Sequence, residues 1–160
     1  MLIRINEQPI TIGEPVETEI LERADLRRSG LLKRLLPVGK GESGRREAEN
    51  CSVDCFEGAF NLYPCTHGYL TPDRQWQTMA EIELRDGRVV SVLFKVVKGR
   101  YAATEFADRF RASCQKTLGD PYHADRYTAR WRNGAAEITS VLQFDAMNAS
   151  FLFAEKSTVD

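Results

Sequence analysis

Two dipeptides constrain this chain more than any other feature: Asp86-Gly87 and Asn133-Gly134, each flanked by alternating apolar residues. Both are pairs in which the two central residues of a tight turn accept positive φ, so each predicts a two-residue β-hairpin. Around the first, alternation predicts Leu84 opposite Val89, Ile82 opposite Ser91 and Ala80 opposite Leu93. Glu81 and Glu83 then share the other face with Val90, Val92 and Phe94. Around the second, it predicts Trp131 opposite Ala136, Ala129 opposite Ile138 and Tyr127 opposite Ser140, with Arg130 facing Glu137. A last strand over 150–155, returning through Asp145-Ala146-Met147-Asn148, brings Phe151 and Phe153 to the same apolar face. Independent turns that agree on one buried face give the consistency expected of a folded sheet.

Between the hairpins, Ala103, Phe106, Ala107, Phe110, Cys114 and Leu118 recur at helical spacing. They predict a helix over 103–118, capped near Thr104 and stopped by Gly119-Asp120-Pro121. At the other end of the chain, Ile3 and Ile5, then Ile10 and Ile12, flank Asn6-Glu7-Gln8-Pro9 and predict a short hairpin with Pro9 in the turn or on an edge. Pro15, three early glutamates and the late Arg27 and Arg28 predict a helix closed by Ser29-Gly30. A short second helix over 31–36 is stopped by Pro37. Residues 38–50 have no apolar period and read as a mobile basic loop, and 53–62 reads as one strand before a loop over 63–68.

Strands in antiparallel runs, not alternating with helices, predict an α+β fold: a mainly antiparallel, curved sheet of six or more strands with helices packed on one face. The expectation is a single domain over 1–160. Within it, the hairpin and helix of 1–36 are joined by the 38–50 loop to a sheet-helix core over 51–160. Leu, Ile, Val and Phe make up 39 of 160 residues, which excludes a disordered chain. No apolar run approaches the roughly 20 residues that span a bilayer, and the start is too short and polar for a signal peptide. The expectation is therefore a cytoplasmic protein with no membrane partner.

Three features could carry chemistry. Cys51, Cys55, Cys65 and His67 supply three thiols and an imidazole, ligand types that zinc takes in tetrahedral sites. Their spacing departs from the usual two-residue knuckles, and buried free thiols or a disulfide from Cys65 to Cys51 or Cys55 are the other readings. An extended 51–55 would put Cys51 and Cys55 off the main core, opposite Phe56, Phe60 and Leu62. Cys114 lies on the helical stripe and reads as core. The second feature is charge. The net charge is only −1, yet residues 23–46 hold eight Lys or Arg against Asp25 and Glu42, a local net of +6, while 1–22 carry a local net of −4. Arg27, Arg28, Lys33, Arg34, Arg45 and Arg46 are the candidates for meeting a partner, a protein or else a nucleic acid or other polyanion. The third is the pair Glu81 and Glu83, whose alternation fits a half-solvated sheet face better than paired catalytic acids.

No constellation of a known enzyme class stands out. Cys65 and His67 are too close in sequence to define a nucleophile and its base, since such pairs are assembled from distant segments. Gly39-Lys40-Gly41-Glu42-Ser43-Gly44 lacks the spacing of a phosphate loop. Leu118-Gly119-Asp120-Pro121 followed by a Trp-bearing hairpin resembles the helix, Leu-Gly-x-Pro, antiparallel-sheet pattern of several small bacterial α+β proteins, inhibitor-like and assembly-factor domains among them; it carries no functional residue. The expected function is a small non-catalytic binding or adaptor protein that acts through the basic segment or an exposed sheet face and is able to form a homodimer. The alternatives are a zinc protein or enzyme centred on Cys51, Cys55, Cys65 and His67, or a small-ligand pocket between the 103–118 helix and the sheet.

Overall fold

The computed structural model describes residues 1–28, 41–65 and 75–156. The expected helix over 31–36, Lys33, Arg34 and His67 lie outside them. Leu2–Ile5 (β1) and Gln8–Thr11 (β2) form the first hairpin. Its turn is Asn6-Glu7, both at positive φ (47° and 68°), and Ile3 pairs with Ile10. Pro9 sits on β2, an edge strand, where its missing N–H costs no ladder bond. A helix over Thr18–Arg23 (α1) follows.

This first helix is shorter than its charges predict. Asp25 takes φ 58°, Asp25 N donates to Glu22 O and Leu26 N donates to Leu21 O at 2.9 Å. That is a Schellman closure with Asp, not Gly, in the left-handed position, and the buried Leu21 and Leu26 are its apolar contact. Arg27–Arg28, expected in the last helical turn, instead forms a two-residue strand (β3) against Gly44–Glu49 (β4). The expected mobile loop over 38–50 is thus corrected: its described part ends in a strand with neighbours on both sides. Nor is 53–62 one strand. It is Val53–Cys55 (β5) and Phe60–Leu62 (β6), folded back through Phe56, Glu57 and Gly58 at positive φ.

The rest follows the hairpins: Gln77–Arg85 (β7), Arg88–Val97 (β8), the helix Arg100–Leu118 (α2), His123–Ala124 (β9), Thr128–Asn133 (β10), Ala136–Leu142 (β11) and Ala149–Glu155 (β12). The helix is capped at Gly99, not near Thr104, and Gly119 follows its last turn at φ 85°. A Cβ on Gly99 would lie 2.6 Å from Trp76 Cβ, so only glycine lets the indole close this edge of the core. Two antiparallel sheets result: β2-β1-β5-β6, and an open eight-stranded sheet, β3-β4-β7-β8-β12-β11-β10-β9. The fold is α+β, as the turn chemistry predicts.

Both hairpin registers differ from simple alternation. In β7–β8 the turn Asp86-Gly87 is as expected and Leu84 pairs with Val89, but Glu83 pairs with Ser91, so Val90 is an extra residue. This bulge slips the remainder by one position, and a one-residue slip moves every following side chain to the opposite face. Ile82 therefore meets Val92 and Ala80 meets Phe94 on the core side, while Ser91 and Leu93 join Glu81 and Glu83 outside. In β10–β11, Asn133 pairs with Ala136, so the turn is Gly134-Ala135 with positive φ at Gly134 alone, the type II′ pattern. The register moves by two, which preserves faces: Trp131 meets Ile138, and Glu137 faces Arg132 and not Arg130.

The inner face of the large sheet carries α2, which packs on β8, β10, β11 and β12, and the small sheet beside it. Phe110 is the centre of this layer. Its ring lies 4.5 Å from Phe151, 5.1 Å from Phe60, 5.8 Å from Phe153 and 6.0 Å from Phe94, with Phe56 and Trp131 just beyond. Phe110→Ala removes a fully buried ring whose neighbours come from four strands and a turn and cannot all collapse. It is expected to cost about 3–5 kcal/mol in urea denaturation; a loss below about 1 kcal/mol would show that the two sheets are not joined through this ring.

Candidate functional site

The outer face of the large sheet is read from its registers. One row crosses it as Glu47, Glu81, Leu93, Leu152, Thr139 and Arg130, each opposite the next. On one side of that row lie Arg45, Glu83, Ser91, Ala154, Glu137 and Arg132. On the other lie Glu49, Met79, Lys95, Ser150 and Val141. The two central strands present Ser91, Leu93 and Lys95 on β8 and Ser150, Leu152 and Ala154 on β12; β4 and β7 carry four glutamates with Arg45, and β10 carries Arg130 and Arg132. These side chains are half-buried or exposed, while the alternate positions of the same strands form the core. The sequence reading missed the Leu93–Leu152 pair because it put Leu93 inside. The one available signal was the Val89-Val90 doublet, which breaks the alternation directly after the turn.

The predicted basic surface is largely engaged within the chain. Arg46 lies on the inner side of β4 and is buried. Its Nε and Nη2 donate to the two carboxylate oxygens of Glu42 at 2.9 and 3.0 Å, and its Nη1 donates to Leu26 O at 2.9 Å. Arg28 Nε donates to the same carboxylate at 3.1 Å and is itself mostly covered. Arg46 and Arg28 are therefore structural cations, which corrects their assignment to a partner. Arg27 is exposed and pairs with Asp25 at 3.1 Å, and Arg45 pairs with Glu81 across the outer face at 3.5 Å. Burial alone would raise the Glu42 carboxyl; the bidentate hydrogen bond and charge of Arg46, with those of Arg28, outweigh it and hold the group below the usual range.

A carboxyl depressed in the folded state and ordinary in the unfolded one contributes stability above the ordinary glutamate range. That contribution is lost as the pH falls through the folded value. Glu42→Gln is thus expected to destabilise at about pH 7 by up to about 3 kcal/mol, since it leaves two covered guanidiniums short of an anion. The gap to wild type should narrow in urea titrations carried down toward about pH 3, where wild-type Glu42 is also protonated. An equal gap at both pH values would mean that the side chain acts only through packing.

Cys51, Cys55 and Cys114 are free thiols, with no disulfide between them. Cys51 and Cys55 are fully buried, contrary to the expectation that they lie off the core: β5 sits between β1 and β6, with Cys55 between Ile3 and Phe60. Burial pushes the Cys51 thiol up to about 11. Burial raises Cys55 and Cys114 further, the proximity of Cys114 adding to the effect on Cys55. Metal ligation needs thiolates, and burial works against them. Among the described residues no three His, Cys, Asp or Glu side chains converge as a metal site requires. A thiol reagent at about pH 8 is expected to find at most one group, the half-buried Cys65, in the native protein, and all four after unfolding. A native titre of two or more would contradict this burial.

Among the described residues, Glu81 and Glu83 point outward and the aromatic cluster fills the interval between α2 and the large sheet. A cleft of about 850 Å³ lies instead between the small sheet and the C-terminal end of α2, lined by Arg4, Asp54, Phe56, Glu57 and Lys116 among others. It is open to solvent, and its charges are of both signs. At the β9 edge, His123 Nε2 lies 3.2 Å from Asp125 Oδ2, and Tyr122, under the Arg132 guanidinium at 4.2 Å, donates its phenol proton to Glu137. No described helix is long and apolar enough to cross a membrane. Comparison with known proteins adds nothing to this geometry: no family model matches the chain, and no curated protein and no solved structure matches it significantly.

Proposed function

We propose that this is a non-catalytic binding protein whose contact surface is the open outer face of the eight-stranded sheet. The observation that carries the reading is the Leu93–Leu152 pair at the middle of that face, flanked by Ser91, Ala154, Ser150 and Thr139, with α2 and the small sheet both on the opposite side. Two leucines among small side chains, with Lys95 at one end of the central strands and further charges on the flanking ones, have the anatomy of a protein interface, whose core is poorer in charge than its rim. Its glutamates favour a polypeptide over a polyanion, because nucleic-acid surfaces need net positive charge along the phosphate path. The basic segment is the weaker reading, since Arg28 and Arg46 serve Glu42. The buried free thiols of Cys51, Cys55 and Cys114 fit a reducing compartment such as the cytoplasm.

The test compares three baits in native lysate: wild type, Leu93→Glu/Leu152→Glu, and Arg27→Glu/Arg45→Glu, each checked for native circular dichroism. A polypeptide held stoichiometrically by wild type is expected to be lost with the leucine pair, by tenfold or more in affinity, and kept with the arginine pair. Loss with the arginine pair alone would move the contact surface to the N-terminal segment.

A further inference from the structure

We infer that the end of the large sheet where β8 runs into α2 binds a single-stranded nucleic acid, with bases on exposed aromatic rings and phosphates on the cations beside them. This surface is separate from the outer sheet face and does not depend on that reading. β10 starts, β11 ends, β12 starts and β8 ends at one end of the sheet, because Thr128 pairs with Val141, Leu142 with Ala149 and Ala149 with Val96. Three connections meet there: the turn 125–127 before β10, the loop 143–148 between β11 and β12, and the junction 98–100 between β8 and α2. Hydrogen bonds hold them together. Leu142 N donates to Tyr127 O at 2.8 Å, Gln143 N to Asn148 O at 2.9 Å, Lys98 N to Asn148 Oδ1 at 3.1 Å and Gly99 N to Met147 O at 3.0 Å.

On this frame stand the two most exposed aromatic side chains of the described residues, Phe144 at 86% and Tyr101 at 64%. Phe144 is held out by a turn in which Ala146, at φ 57°, donates its N–H to Gln143 O at 2.8 Å. Its ring lies 5.7 Å from that of Tyr127, and the Arg126 guanidinium lies 5.4 Å from the same tyrosine ring. Lys98 and Arg100 follow across the loop beside Tyr101, and Lys95 lies two residues before the end of β8. None of these four cations has an ion-pair partner among the described residues. The acids of this end are fewer and engaged. Asp145 accepts from Met147 N at 2.9 Å, and Asp125 accepts from Tyr127 N and Thr128 N at 2.8 Å and faces His123. Glu49 stands two strands from Lys95, about 10 Å by strand spacing. On α2, Glu105 pairs with Arg109, and Asp108 is about two turns beyond Arg100. Cations and rings therefore alternate across three strand spacings of the sheet end, about 15 Å. That pattern suits a single strand, in which every base offers a face to stack and every phosphate a charge to meet. A duplex keeps its base faces covered. A bilayer is disfavoured because Asp145, exposed beside Phe144 at the tip of the same turn, would be carried toward the apolar layer with it.

Fluorescence anisotropy of a labelled oligothymidylate titrated with the full chain tests this. Saturable binding is expected, with log K falling against log salt at a slope of about −2 to −3, as three or four phosphates met on a single strand require. A duplex of the same length is expected to bind at least tenfold more weakly. Phe144→Ala/Tyr101→Ala is expected to weaken binding tenfold or more with the salt slope unchanged. Lys98→Gln/Arg126→Gln is expected instead to make the slope shallower by about 1.4. All four of these side chains are exposed, and native circular dichroism checks each variant. Should a variant fail to fold, the salt slope and the strand preference of wild type decide alone. No saturable change up to about 100 µM protein at low salt would overturn the inference. So would single strand and duplex bound alike, or rings removed without effect, since either leaves charge alone at work. Phosphatidylserine vesicles bound through Phe144 by a chain that ignores the oligonucleotide would overturn it in favour of a membrane surface. Poly-glutamate competing as well as the oligonucleotide would overturn it in favour of a general affinity for polyanions.

Discussion

The architecture turns on one ring. Phe110 stands at the middle of α2 and meets Phe94, Phe151 and Phe153 of the large sheet on one side and Phe60 of the small sheet on the other. Neither sheet buries its apolar face without the other and the helix. The small sheet has only short strands, which are marginal alone. Tilted and edge-on ring contacts at 4.5–6.3 Å around Phe110 add a geometric preference to the area they bury. The helix is thereby fixed on the inner face, and the chain's large apolar side chains are gathered there with it. What the outer face presents is the remainder of the alternation: serines, threonine, alanine, Leu93 and Leu152, Met79, Val141 and the charges.

Which residues form that remainder is decided by Val90. Without the bulge, the turn at Asp86-Gly87 would send Val92 and Phe94 outward and Ser91 and Leu93 into the core. The extra residue reverses the assignment for the whole of β8 beyond it, and β12 is laid against β8 in the register that follows. The composition of the core and that of the outer face are therefore two consequences of one irregularity. A bulge is retained because the ring of Phe94 needs the inner side, where it stacks on Phe153 and faces Phe151.

Much of this was legible in the sequence, and its failures share a cause. The turn at Asp86-Gly87, the helical stripe from Ala103 to Leu118 and the inward phenylalanines of β12 follow from local chemistry that tertiary structure has no reason to override. The misreadings fall where a residue other than glycine takes a left-handed conformation or where a charge sits inside. Asp25 closes α1 a turn early, and Phe56 and Glu57 fold one apparent strand into two. Arg46 hides β4: a strand whose inner positions hold arginine and alanine has no apolar period to detect. The registers were less secure than the faces, because a two-residue shift, as at Gly134-Ala135, changes every partner and no side. The sequence points to an exposed sheet face but not to its central Leu93–Leu152 pair, which depends on the bulge.

The buried arginine connects these strands to the outer face. Arg46 lies where the core thins toward the sheet edge, beneath the chain passing from α1 to β3. There it answers both the Glu42 carboxylate and the Leu26 carbonyl, which an apolar side chain would leave unpaired. By tying Glu42, Leu26 and, through the shared carboxylate, Arg28 together, it holds β3 and β4 against β7. Alternation on β4 then obliges Arg45 and Glu47 to point outward, because Arg46 points in. The outward placement of Arg45 and Glu47 thus follows from the salt-bridged core beneath them. A residue that satisfies one buried carbonyl thereby also fixes which of its neighbours on β4 face the other side of the sheet.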